Sequence, residues 1–197
     1  MRSERVLNIF RILVVALALA FLCAVPVMQV SVSAEERGTP APAEYEVKAA
    51  FVYNFIKFVE WPDTGGGDSI RLCILGELPD AAAFANLEGR QVRGKRMTVL
   101  TLDRPGEARG CEVLFVTANQ TGRLQEIIES LEDRPTLTIS DTEGYARRGV
   151  MINMFLENKR VRFEVNEKKA RAAGLRISAK LLKLASKVYG TTTNGED

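Results

Sequence analysis

The chain has 197 residues, with 27 Lys and Arg against 25 Asp and Glu, three cysteines and no histidine. A hydrophobic content of 46% and a charged content of 26% are ordinary globular values, which excludes a wholly disordered chain, a collagen and a small disulfide-stapled scaffold. The absence of histidine removes the Ser-His-Asp and Cys-His nucleophile systems and His-ligated zinc. We therefore predict no catalytic residues, no metal site and no cofactor.

The first 34 residues are predicted to be a secretory signal peptide. Three arginines lie within residues 1–11, an uncharged run covers residues 12–27, and small residues end the segment at Ala34, where we expect cleavage. The alternative is an uncleaved anchor, because the run extended to residue 32 approaches the ~20 residues that a bilayer span needs. Removal of this segment leaves 24 basic and 24 acidic residues, so the exported chain is neutral overall.

The predicted elements of the exported chain begin with a flexible leader over residues 35–43. One domain covers 44–190, and 191–197 form a disordered tail. Residues 44–60 give the strongest helix prediction, because apolar side chains recur at three- and four-residue spacing until Trp61-Pro62 ends the helix. This spacing predicts that Val47, Ala50, Asn54 and the phenylalanines face the core and that Ala49 faces solvent. We expect four aromatic residues to form core or a dimer surface: Phe51, Phe55, Phe58 and Trp61.

Helices and strands then alternate along the chain. The pattern predicts strands over 70–75, 97–102, 113–116, 136–139, 150–156 and 160–165, and helices over 80–87, 123–132, 167–173 and 179–189. Thr121, Asn166 and Ser178 are expected as helix caps. The predicted fold is an α/β three-layer sandwich with a mainly parallel sheet, an antiparallel C-terminal hairpin and helices on both faces.

Two cysteines, Cys73 and Cys111, remain after the signal peptide is removed. In an exported protein such a pair predicts a disulfide. Cys73 lies inside one predicted strand and Cys111 precedes another, so adjacent strands would allow the bridge. Two separately buried thiols are the alternative.

Opposite charges concentrate in two segments. Residues 159–187 hold ten basic and two acidic residues, and residues 112–144 hold seven acidic residues and two arginines. This separation favours an acidic protein or an anionic membrane surface as partner, since an exported protein rarely meets nucleic acid. Two helical segments with solvated faces would give the same pattern. Carboxylates at Asp141, Glu143 and Glu164 are candidates for an acid/base pair, but loop carboxylates are usually only solvated.

Four segments resemble the YfiR family, in the same order along the chain. They are residues 44–62, residues 139–141 with 149–153, residues 161–166, and residues 173–178 with 181–185. The resemblance implies a periplasmic α/β protein without catalytic activity that forms a homodimer. It also implies repression of an inner-membrane diguanylate cyclase through the periplasmic part of that enzyme, and hence control of cyclic-di-GMP signalling and biofilm formation. A bridge between Cys73 and Cys111 agrees with the family.

The function predicted from this resemblance is a periplasmic repressor that acts by protein contact. The alternative is a periplasmic small-ligand-binding sensor subunit that works with a sensor kinase. We expect the basic, partly apolar C-terminal surface to contact the membrane partner, through Arg162, Glu164, Arg176, Ile177 and Lys180.

Overall fold

The computed structural model describes residues 42–62, 67–132 and 134–190. Helices are α1 (Pro42–Lys57), α2 (Ala81–Ala85), α3 (Leu124–Ser130), α4 (Glu167–Ala172) and α5 (Ala179–Leu184). Strands are β1 (Val59–Glu60), β2 (Ser69–Leu75), β3 (Gln91–Val92), β4 (Lys95–Leu102), β5 (Val113–Val116), β6 (Leu137–Ser140), β7 (Ile152–Glu157), β8 (Arg160–Asn166), β9 (Arg176–Ile177) and β10 (Lys187–Tyr189). Two 3-10 helices cover Pro105–Gly110 and Ala118–Arg123. The predicted signal peptide, the leader up to residue 41 and the tail lie outside the described residues.

Eight strands form the central sheet in the order β10-β8-β7-β6-β5-β2-β4-β3. Five neighbouring strands of this order run parallel to one another, namely β7, β6, β5, β2 and β4. Strand β8 then returns antiparallel to β7. Asn158 and Lys159 join β7 to β8 with positive φ angles of 51° and 60°, as a two-residue hairpin turn of the primed type requires. The mainly parallel α/β sheet with an antiparallel hairpin is therefore confirmed.

Both faces of the sheet are buried. On β2, Leu72 and Ile74 pack in the core cluster that contains α1, and Cys73 and Leu75 pack in the cluster that contains α3. The alternation follows from the two-residue period of a strand. Helices α1 and α2 thus cover one face, and α3 covers the other, which gives the predicted three layers.

The face of α1 that packs on the sheet differs from the predicted one. Val47 is 44% exposed, and Ala50 and Asn54 are also exposed, whereas Ala49 is buried. The buried positions follow helical spacing and consist of Tyr45, Lys48, Ala49, Val52, Phe55, Ile56 and Val59. A buried lysine on this face explains the error, because lysine is almost never fully buried unless it is paired.

The C-terminal part of the chain holds a second correction. The predicted helix over 179–189 ends at Leu184, and β10 follows as an edge strand parallel to β8. The end of the first predicted helix is likewise a strand, β1, which pairs antiparallel with β9. The unpaired edge of β8 offers hydrogen bonds that local helix propensity does not take into account.

The predicted helix caps are confirmed at two positions. Asn166 and Ser178 accept hydrogen bonds from the backbone N–H groups of Lys169 and Leu181. Thr121 does not cap α3, because the 3-10 helix over Ala118–Arg123 comes before α3 and no side-chain cap is present. Its hydroxyl instead donates to the Ala118 carbonyl oxygen at 2.6 Å.

Candidate functional site

A cleft of about 750 Å³ opens at the edge of the sheet where β5 and β6 end. Its walls come from the first turns of α1, the segment over 141–147, and strands β7, β8 and β10. We call it the carboxyl-edge cleft. Crevices at the carboxyl ends of parallel strands are the usual ligand sites of open α/β sheets.

Lys48 is the buried charge at the centre of one wall. It is 4% exposed, and its Nζ lies 2.6 Å from Glu44 Oε1 and 2.6 Å from Asp141 Oδ2. The Tyr45 hydroxyl donates to the same Asp141 oxygen at 3.0 Å. Burial, followed by the carboxylate of Asp141, raises the pKa of Tyr45 far above its usual value, so this phenol stays protonated. The network ties α1 to the loop after β6.

The opposite wall holds a second polar chain. Asn153 on β7 is 1% exposed, and its Nδ2 faces Glu164 Oε1 on β8 at 3.4 Å. Tyr189 on β10 donates its hydroxyl to Glu164 Oε2 at 2.8 Å, and Arg147 Nε donates to the Tyr189 oxygen at 3.3 Å. Glu164, expected from the sequence to contact a partner, therefore lies in this cleft.

Of the remaining residues predicted to contact a partner, Arg176, Ile177 and Lys180 are absent from the lining of this cleft, whereas Arg162 lies on β8 two residues before Glu164, on the same face of that strand. Arg176 and Lys180 lie together beside the end of α1: the Arg176 guanidinium pairs with Glu60 at 3.0 Å, and Lys180 Nζ lies 5.4 Å from the Phe58 ring centroid. Arg162 lies on β8 and pairs with Glu157 at 3.5 Å. Ile177 is only 8% exposed, which leaves it little surface for a partner.

The four aromatic residues predicted as core or dimer surface divide by burial. Phe55 is 1% exposed, and its ring packs edge-on against Phe163 on β8 at a centroid distance of 4.9 Å. Phe51, Phe58 and Trp61 are partly buried and pack on the same core cluster. Phe55 is thus a core residue, and the other three retain some exposed surface.

A disulfide joins Cys73 to Cys111, as the cysteine count predicts. Cys73 lies on β2, and Cys111 lies two residues before the neighbouring β5, with their Cα atoms 6.0 Å apart. The bridge lies in the core cluster that contains α3.

A comparison of the sequence with protein families identifies the family of this chain. The sequence model of the YfiR/HmsC-like family matches residues 45–186, well over half of the chain. The chain belongs to the YfiR/HmsC-like family. The YfiR/HmsC-like family is a family of periplasmic regulators of cyclic-di-GMP signalling, and it is regulatory rather than catalytic. In the described part of this YfiR/HmsC-like chain, every helix is too short or too polar to cross a bilayer.

Two solved structures are similar to this YfiR/HmsC-like chain at a low level. One is a conserved domain protein from Vibrio cholerae, at 12% identity and a TM-score of 0.49, over 73% of this chain and 60% of that one. The other is an ABC domain from Streptococcus pneumoniae in complex with L-Trp, at 11% identity and a TM-score of 0.47, over 69% of this chain and 58% of that one. This chain thus spans about three fifths of the length of each.

Sequence reasoning missed most of the carboxyl-edge cleft. Tyr45, Lys48 and Asn153 were not singled out, although Asp141 and Glu164 were noted as carboxylates. The available signal was Lys48 itself, which lies one helical turn after Glu44 and one turn before Val52 on the face that packs inward. A charged residue at such a position requires a buried partner.

Proposed function

We propose that this YfiR/HmsC-like protein represses an inner-membrane signalling enzyme of the diguanylate cyclase type by binding its extracytoplasmic part. Binding that favours the inactive conformation of the enzyme lowers cyclic-di-GMP synthesis on the other side of the membrane. The protein shifts the equilibrium only by its difference in affinity for the two conformations. Release then requires a signal that weakens binding.

One exposed surface supports this proposal. It consists of Phe58, Arg176, Lys180 and Leu184, and we call it the α5 surface. Leu184 is 62% exposed, the Arg176 side chain is 81% exposed, and Lys180 lies above the Phe58 ring. Lys180 and Leu184 are four residues apart and so share one face of α5. Exposed apolar groups beside arginine and aromatic side chains are typical of protein interfaces.

Charge reversal on the α5 surface tests the proposal. Purified protein is titrated with the extracytoplasmic part of an inner-membrane diguanylate cyclase from the same bacterium, and with that of a membrane sensor kinase as the alternative partner. We expect Arg176→Glu with Lys180→Glu to weaken binding at least roughly tenfold, because like charges then meet an acidic partner. Arg104→Glu is the matched control, since its side chain is 79% exposed and pairs with Glu107 on the 3-10 helix over Pro105–Gly110.

Two results would count against the proposal. Unchanged binding by the double variant excludes the α5 surface as the contact. Absence of binding to the cyclase by the wild-type protein excludes repression through direct contact, and binding to the kinase alone favours the sensor-subunit alternative.

The homodimer is a second part of the proposal. Exposed apolar side chains on α1 and the β7–β8 hairpin, Val47 and Leu156, flank the partly buried Phe51 and Val161. We place the dimer contact on this groove. Sedimentation velocity should give a dimer for the wild type and a monomer for Val47→Glu with Leu156→Glu, whereas a dimeric double variant would exclude this face.

A further inference from the structure

We propose that a second cleft of this protein binds a ligand that carries phosphate groups. The cleft lies at the edge of the sheet where the parallel strands begin, and we call it the amino-edge cleft. Its volume of about 670 Å³ is within the range of small-molecule sites. The proposal rests on this cleft alone and does not depend on repression of a cyclase.

The first argument is the charge of the amino-edge cleft. Among the described residues that line it, five are cations and one, Glu112, is a carboxylate, which gives a net charge of +4. The cations are Arg71, Arg93, Lys95, Arg109 and Arg134. Such an excess of one sign in a concave surface favours a ligand of the opposite sign, here an anion with several charges.

The second argument is that the topology of the sheet brings these cations together from separate parts of the chain. Strands β4, β2, β5 and β6 are consecutive in the sheet. Lys95 begins β4, and Arg71 is the third residue of β2. Arg109 and Arg134 lie shortly before β5 and β6. With neighbouring strands about 4.8 Å apart, the cations form a row about 14 Å wide. Their mutual repulsion destabilises the free protein, and a bound polyanion relieves it.

The third argument is that the carboxylate of Glu112 is already engaged by one of these cations. Its Oε2 accepts hydrogen bonds from the Arg71 backbone N–H at 2.8 Å and from Arg71 Nε at 3.2 Å, and its Oε1 accepts one from Arg71 Nη2 at 3.0 Å. The pair fixes the Arg71 guanidinium beside Gly110, where a Cβ atom would come within 3.2 Å of Nη1. Glu112 therefore balances Arg71 and leaves the charge of the other four cations uncompensated within the lining.

Arg109 and Arg134 are the cations best placed to receive a ligand. Both are exposed, and in the part of the chain that the structure describes neither side chain has a hydrogen bond, an ion pair or a ring contact. Other exposed arginines do have such partners: Arg104 and Arg123 each pair with a glutamate three residues further along the chain. The guanidinium donors of Arg109 and Arg134 are thus available in the free protein.

A phosphate group fits this arrangement better than a carboxylate. Guanidinium groups bind both anions with two parallel hydrogen bonds, but phosphate has three strong acceptor oxygens that point in different directions. Cations from several strand ends can therefore contact one phosphate from different sides, whereas the two oxygens of a carboxylate lie in one plane. A soluble phosphate compound and a phospholipid headgroup share this chemistry.

The experiment titrates the purified protein with inorganic pyrophosphate by isothermal titration calorimetry, in buffer without divalent cations. Citrate, a carboxylate of similar charge, should bind at least roughly fivefold more weakly. Arg109→Gln with Arg134→Gln should weaken pyrophosphate binding roughly tenfold or more, because donors of charge-assisted hydrogen bonds are lost. The thermal midpoint of this variant should stay the same or rise, since neither side chain has a contact to lose and repulsion in the cleft falls.

Arg104→Gln with Arg123→Gln is the matched control. It removes the same charge from exposed side chains outside the cleft and should bind pyrophosphate like the wild type. Cosedimentation with phosphatidylcholine vesicles, with and without about 10% cardiolipin, distinguishes the two sources of phosphate. Binding only to the cardiolipin vesicles assigns a lipid headgroup, and binding of pyrophosphate assigns a soluble compound. The proposal is overturned if neither is bound, if citrate binds as tightly as pyrophosphate, or if the two double variants bind equally well.

Discussion

Lys48 is a buried lysine whose charge is balanced by two carboxylates. Its ammonium group is enclosed with the carboxylates of Glu44 and Asp141, which come from α1 and the loop after β6. The Lys48→Met substitution leaves Asp141, whose side chain is 7% exposed, without its cation. We expect a loss of about 3–5 kcal/mol in the free energy of unfolding, measured by urea denaturation, because removal of one partner leaves a buried charge unpaired.

Lys57→Met is the matched control for this experiment. Lys57 lies on the same helix, is exposed, and contacts the Tyr53 ring with its Nζ 4.3 Å from the centroid. Its substitution should cost at most about 1 kcal/mol. Adding Asp141→Asn to Lys48→Met should recover part of the loss, and an equal cost for the two lysine substitutions would contradict a buried ion pair.

Glu112 gives a pH-dependent prediction at the same scale. Partial burial raises the pKa of this carboxyl, but hydrogen bonds from the Arg71 side chain and backbone outweigh it and hold the pKa below its usual 4.5. The unfolded chain therefore binds a proton before the folded protein does, and this contribution to stability is lost as the pH falls below about 4.5. Glu112→Gln should flatten the fall in unfolding free energy between about pH 5 and pH 3, as followed by urea denaturation. Glu77→Gln, at an exposed position beyond β2, is the control. If the unfolding free energy of Glu112→Gln falls with pH as steeply as that of Glu77→Gln, Glu112 does not contribute to the pH dependence of stability.

Gly76 follows β2 with a φ of +99°, and it packs closely against the loop after β5. A Cβ atom at this position would overlap Thr117 Oγ1 and Asn119 Oδ1, and Thr117 is only 3% exposed. Gly94, in the β3–β4 turn, has a similar φ of +76°, but a Cβ atom there would have no neighbour within 4 Å. We expect Gly94→Ala to cost about 1 kcal/mol from backbone strain alone and Gly76→Ala about 2–4 kcal/mol. Thermal denaturation of both variants measures the difference, and equal costs would contradict the close packing.

At the level of whole elements, the pattern of apolar residues in the sequence predicted the central strands well. Residues 113–116 are an uncharged run, and β5 has those bounds and is entirely buried. The same reasoning failed for β10, because residues 187–189 pair with β8 only after the chain has returned to the sheet. The predicted inward face of α1 was wrong for a related reason. The charge of Lys48 is neutralised by Asp141, which lies 93 positions away in the sequence.

At the level of the whole molecule, the fold class could be predicted because alternation of helix and strand is a local property of the sequence. The carboxyl-edge cleft could not, since it joins Tyr45, Asp141, Asn153, Glu164 and Tyr189 from five separate elements or loops. Only the topology of the sheet brings them together. The residues predicted to contact a partner are distributed by the topology in the same way: Glu164 lies in the cleft, and Arg176 and Lys180 lie on the α5 surface.

The Cys73–Cys111 disulfide links β2 to the segment that leads into the neighbouring β5, across a sequence separation of 38 residues. In the chain-entropy model, closing a loop of this length stabilises the folded protein by about 4 kcal/mol, which is a large share of the ~5–15 kcal/mol typical of a domain. Cys73 is fully buried and Cys111 is 6% exposed, so a reductant should reach the bridge mainly through unfolding. Urea denaturation of the wild type with and without dithiothreitol should therefore show a loss of about 4 kcal/mol on reduction. The Cys73→Ala/Cys111→Ala variant should lose at least as much and should not respond to dithiothreitol. Equal midpoints for the oxidised and reduced wild type would show that the bridge adds nothing to packing that already holds β2 against β5.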